Sequence, residues 1–363
     1  MSRMAGQHRR ASLLAVVLTA GLVTSAAAQA PIQLGPPATP PSKPAAKPAP
    51  KPAPGKSVPT QTIRPESGEP AHTTTARRDV DMAYGAFQRG YYITAFALAT
   101  QRVNDHKDVK AMTLLAELYA NGLGIERDDK KAAEWYRLAA DRGDREAIFA
   151  LAMFNLGGRI GTVNREQGAK LLAAAAKLGQ PAAAYDLALL YLEGQLFPQD
   201  FTRAAELFRA ASQAGNPEAQ YALATLYKEG RGVPKDLAEA ARLLAASALA
   251  DNTDAQVEYA IALFNGTGVE RNEPVAAELL KKAARKGSAI AQNRLANVLA
   301  VGRGVPADPA AAIKWHLVAK AGGVGDIPLD TFMQKQQPEV RAAGEKAAKP
   351  WLDAIKEARE QRS

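Results

Sequence analysis

The sequence predicts an all-α protein: a right-handed α-solenoid of stacked antiparallel helix pairs with a 36-residue period. Three observations carry that prediction. Stepping by 36 from Ala111 reaches Ala147, Ala183, Ala219, Ala255 and Ala291. In the same phase a second column runs Ala116, Ala152, Ala188, Ala224, Ala260 and Ala296, and a third runs Gly122, Gly158, Gly194, Gly230, Gly266 and Gly302. Composition agrees, because a chain 47% hydrophobic but only 6% aromatic, led by alanine, suits close-packed helices better than sheets.

The elements follow in chain order. Residues 1–28 read as a secretory signal peptide: Arg3, Arg9 and Arg10 precede the short apolar run Ala11 to Val23, and small residues follow. Cleavage is expected after Ala28, because cutting after Ala30 would leave Pro31 at the new terminus. The apolar run falls short of the roughly 20 residues a membrane span needs. Residues 29–78 read as a disordered Pro/Lys-rich linker, with 13 of the chain's 23 prolines between 31 and 70. Such a stretch cannot bury enough apolar surface to fold and favours an extended path, reaching on the order of 120 Å at about 3.1 Å per residue. Residues 1–28 carry a net +3 and residues 29–78 a net +5, so the whole-chain +9 leaves only +1 for residues 79–363. A nearly neutral folded body argues against nucleic-acid binding.

Residues 79–110, including "AYGAFQRGYYITAFALAT", read as an N-terminal degenerate capping helix pair with a shortened Arg-Gly turn. Six repeats are expected over 111–326. Within the first, Ala111, Leu115, Leu118 and Tyr119 share one helix face, and Ala116 is small where a second helix must come close. Gly122 ends that helix. The second helix is expected to start near Asp129, whose carboxylate suits a helix N-terminus, and to bury Ala132, Ala133, Trp135, Tyr136, Ala139 and Ala140. Residues 327–363 read as C-terminal capping helices, with Trp351 and Leu352 set against the last unit.

The pattern A-x3-L-A-x2-Y-x2-G-x-G-I-x3-D-x2-A-A-x-W-Y-x2-A-A-x2-G resembles the Sel1-like repeat, a relative of the tetratricopeptide repeat. Unit four, with Ala219, Leu223, Tyr227, Gly230, Gly232, Val233, Asp236, Ala240 and Ala241, matches closely. There are departures. Asn155 stands for the tyrosine and Ile160 for the second glycine in unit two, Leu196 takes that second-glycine position in unit three, and Asp251 replaces the closing glycine of unit four. The loop of unit two is therefore expected to differ, and Asp251-Asn252 must make the turn of unit four.

The resemblance implies a protein–protein adaptor in signalling regulation or envelope assembly. By analogy with tetratricopeptide arrays, the first helix of each pair lines a concave groove. Its expected apolar centre is Phe149, Met153, Leu156, Tyr185, Leu189, Leu192, Tyr221, Lys228, Val257, Ile261 and Phe264. The expected partner is a protein, such as the outer domain of a sensor kinase or an envelope protein; the alternative is a peptidoglycan-associated scaffold whose linker touches the polymer. The expected location is the periplasm or beyond the cell, with no membrane segment after signal cleavage.

Catalysis is not expected, and neither is a cofactor or metal. His106 and His316 lie at opposite ends of the array, and His316 occupies a buried tyrosine-type position. No His/Asp/Glu spacing suits a metal, and no phosphate-cradling loop or nucleophile elbow occurs. Some relatives bind or cleave β-lactams, but those depend on a disulfide in each repeat, and this chain has no cysteine.

Overall fold

The computed structural model describes residues 82–361; the expected signal peptide and linker lie outside the described residues. Among the described residues there are helices and turns but no strand. The chain opens with α1 (82–88), an Arg89-Gly90 turn and α2 (Tyr92–His106). Six pairs follow. They are α3 (Val109–Asn121) with α4 (Asp129–Ala140), α5 (Arg145–Leu156) with α6 (Arg165–Lys177), and α7 (Pro181–Glu193) with α8 (Phe201–Gln213). Then come α9 (Pro217–Glu229) with α10 (Leu237–Leu249), α11 (Thr253–Asn265) with α12 (Glu273–Arg285), and α13 (Ala289–Val301) with α14 (Pro309–Ala321). The short α15 (Ile327–Gln334) and long α16 (Pro338–Glu360) close the stack. From α2 to α15 each helix packs on its sequence neighbours, and α16 folds back onto α14, so the repeats form the expected solenoid.

The period is enforced by caps. The residue before each first helix accepts a backbone N–H through its side chain: Asp108, Asp144, Gln180, Asn216, Asn252 and Ser288. The second helices use Asp128, Asn164, Asp200, Asp236, Asn272 and Asp308 in the same way. The second helix of unit one starts at Asp129 as expected, with Asp128 as its cap. Asp128 bonds the N–H groups of Lys130 and Lys131, and Asp129 turns outward to Arg127 and Arg159. First helices end at a left-handed glycine, as at Gly122 (φ 63°) and Gly302 (φ 73°), whose N–H bonds back four residues. Unit two differs: α5 stops at Leu156, and the left-handed turn falls at Gly158, after a right-handed Gly157. Asp251 makes its own left-handed turn (φ 72°).

The alanine columns form the seams. Ala116, Ala152, Ala188, Ala260 and Ala296 have no exposed surface, and the rings and leucines of both helix types pack around them. At the C-terminal end, Trp351 packs edge-on to Trp315 with ring centroids 5.1 Å apart, and Leu352 joins the same cluster. None of the described helices is long and apolar enough to cross a membrane.

Candidate functional site

The first helices carry the columns read as a groove, and the structure divides them. Tyr185, Leu189, Leu192, Val257 and Phe264 are core residues, none more than 6% exposed. The expectation of an open groove fails at these five. Tyr185 sits 5.6 Å from the Phe208 ring of α8, the second helix of its own pair, and its two leucine neighbours fill the same cluster. Phe264 is covered by the Arg303 guanidinium, 5.1 Å from its ring centre.

Phe149, Met153, Leu156, Tyr221, Lys228 and Ile261 remain half-buried. Leu156 packs on Gly168 of α6, where a Cβ would overlap its side chain. Lys228 reaches across to Glu258 of the next unit at 2.8 Å. That leaves Phe149, Met153, Tyr221 and Ile261 as an interrupted apolar stripe running along α5, α9 and α11.

Carboxylates outside the expected apolar centre share this face. Burial pushes the Glu117 carboxyl above its ordinary range. Burial, then the neighbouring Glu258 charge, does the same to Asp254, although Asp254 is open to solvent: protein surrounds the group without sealing it. Burial likewise raises the Tyr221 phenol, with the Glu258, Asp254 and Glu229 charges adding to it. Arg294 approaches from α13, where burial lowers its affinity for its proton and Glu258 opposes that shift. Glu117 shares the phase of Met153 and Ile261, whereas Asp254 has the phase of residue 110 and Glu258 and Arg294 that of residue 114, three positions before and one position after the column of Phe149 and Tyr221.

A feature missed by the sequence reading holds the repeats together. The arginine of the inter-helix loop reaches back to the preceding unit. Arg159 donates to the Ala120 carbonyl at 2.6 Å and pairs with Asp129. In the same phase four repeats on, Arg303 donates to the Phe264 carbonyl and to Glu273, both at 2.9 Å. Arg231 lies 3.9 Å over the Phe201 ring. The "GRG" loop is therefore an inter-repeat clamp as well as a helix cap.

The histidines stay apart. His106 is exposed at the end of α2, and His316 is buried on α14 with its Nε2 2.8 Å from Asp330 Oδ1. No group of His, Asp and Glu among the described residues has metal-binding geometry.

The first-helix face continues into a cavity of about 510 Å³ between α1, α2 and α3, bordered by Tyr84, Leu114, Glu117 and, from α5, Glu146.

The Sel1 repeat family model matches residues 109–144, 145–180, 181–216, 217–252, 253–288 and 289–324. Its frame begins just after each first-helix cap, two residues ahead of the alanine column. Among solved structures, the chain is similar to a Sel1 repeat protein from Oxalobacter formigenes. Identity is 25% over 67% of this chain and 99% of that one, with a TM-score of 0.59. It is also similar to c5321, a protective antigen present in uropathogenic Escherichia coli strains displaying an SLR fold. There the identity is 24% over 79% of this chain and 71% of that one, with a TM-score of 0.52. No curated protein sequence matches the chain.

Proposed function

Because the chain belongs to the Sel1 repeat family, a family of protein–protein interaction modules, we propose that it is an exported periplasmic adaptor that regulates a signalling or envelope-assembly partner. The partner lies along the first-helix face. The observation that carries this reading is the half-buried stripe of Met153, Tyr221 and Ile261, bordered by Asp254 and Glu258. Apolar side chains kept partly in water beside carboxylates make an amphipathic surface, which a partner helix or extended segment covers. No catalytic constellation competes with it among the described residues.

The deciding experiment is crosslinking in cells with a photoreactive residue at Met153 or Ile261, followed by identification of the captured protein. A single dominant partner, lost in a Met153→Ser/Ile261→Ser protein that keeps its helical spectrum, supports the adaptor. Equal capture by that variant defeats it. Cell fractionation and N-terminal sequencing test the location, with a mature chain beginning at Gln29 as the expected result. Sedimentation with purified peptidoglycan tests the scaffold alternative, which requires binding that disappears when residues 31–70 are removed.

A further inference from the structure

The cavity at the N-terminal end of the stack has apolar walls, and the charged groups at its border differ in how they are paired. Its walls include Ala83, Ala111 and Leu114, with the Tyr84 ring at one edge. Two cations border it, and both are committed elsewhere. Arg102 Nη2 bonds Asp108 Oδ2 at 2.7 Å, and Lys110 Nζ bonds Asp144 Oδ2 at 2.7 Å. Those aspartates are the caps of α3 and α5, so the two cations serve helix ends.

The carboxylates are placed differently. Glu146 lies 3.4 Å from Arg145 Nε and accepts from Gln180 Nε2 at 2.6 Å. Glu117 has no cation bonded to it among the described residues, and burial raises its affinity for a proton. A half-buried carboxylate without a counter-charge costs stability, and an incoming cation offsets that cost.

We propose that this cavity receives a long cationic side chain, lysine or arginine, presented by a loop or terminus of the protein partner. The methylene stem lies along Ala83, Ala111 and Leu114, as such stems do on apolar surface. The charged head meets Glu117, with the Tyr84 ring as a second contact. Carboxylates recur along the same face beyond the cavity: Asp254 has no cation bonded to it among the described residues, and Glu258, paired with Lys228, stands beside it. The inference rests on the adaptor reading and adds the chemistry of the partner: a basic residue anchoring a segment that then runs along the apolar stripe.

The test is calorimetric titration of the full chain with the capped peptide acetyl-Ala-Pro-Lys-Pro-Ala-amide and with its norleucine counterpart, which keeps the stem and lacks the ammonium. The lysine peptide is expected to bind at least about tenfold more tightly, and Glu117→Gln to weaken it by about tenfold, the scale of one charged hydrogen bond. Equal binding of the two peptides overturns the proposal, as does unchanged affinity in Glu117→Gln. If that variant does not fold, the peptide comparison on the unaltered chain decides alone. The chain's own lysines are tested with Lys43→Gln/Lys47→Gln/Lys51→Gln/Lys56→Gln. Unchanged affinity supports a partner's side chain, whereas a tenfold tightening assigns the cavity to this chain's own segment and overturns the proposal. Partner capture at Met153 with no peptide binding would sink this inference and leave the adaptor standing.

Discussion

At the scale of single residues, the stack depends on positions where the backbone tolerates no side chain. A Cβ on Gly268 would overlap the Leu237 carbonyl oxygen, and its φ is +69°. Gly287 has an equally left-handed φ of +92° with nothing within 4 Å of where a Cβ would stand. Both Ala variants therefore carry a conformational cost of about 1–2 kcal/mol. Only Gly268→Ala adds a backbone collision, and urea unfolding should show it losing at least about 1–3 kcal/mol more, the scale of overpacking. Glu117 makes the opposite argument. Its folded pKa is raised, so the stability tied to its proton is complete below the unfolded value and is lost as pH rises through the folded one. Glu117→Gln should accordingly melt at the same temperature as the parent near pH 4 and higher at pH 7. An equal difference at both pH values would remove the desolvated-carboxylate explanation. A residue kept at a cost to stability is what a binding role requires.

At the scale of elements, the helices, their order and their phase were legible because a period of 36 with glycine and alanine columns leaves few other structures. What the sequence did not yield was the partition of side chains between surface and core. Tyr185 and Tyr221 occupy one column, yet the first is buried against the Phe208 ring and the second half-buried, because burial depends on what the neighbouring helices place over each position. A column gives the face of a helix and leaves the curvature of the stack open. The start of α4 at Asp129 was legible, but the choice of capping side chain was not: two adjacent aspartates both suit an N-terminus, and only the bonding geometry selects Asp128. The arginine clamp was hidden because its partners lie 30 and 39 residues back, outside any local motif. It yields a graded prediction. Arg303 is nearly enclosed and bonds both a carbonyl and Glu273, so Arg303→Ala should cost about 2–3 kcal/mol. Arg231 is more exposed, and its main contact is the Phe201 ring, so Arg231→Ala should cost about 1 kcal/mol. Denaturant melts of the two variants should rank in that order, and the reverse order would remove the clamp as an explanation.

At the scale of the molecule, a stack in which each repeat meets mainly its neighbours has no single core to fail at once, so stability is distributed along its length and its ends matter most. The N-terminal end is closed by α1 and α2, which also build the cavity; the C-terminal end is closed by α16. That long helix crosses α14 so closely that a Cβ on Gly344 would stand 2.7 Å from Ile313, and it brings Trp351 against Trp315. Lys314 lies over both indole rings, 4.3 Å from one and 5.3 Å from the other. Trp351→Ala should therefore open the last unit and leave the first unaffected. Hydrogen exchange is the measurement: amides of α13 and α14 should exchange faster in the variant, while those of α3 and α4 keep their parent rates. Uniform acceleration along the chain would mean that the repeats unfold as one cooperative block. Binding at the N-terminal cavity could then no longer be treated as independent of damage at the other end.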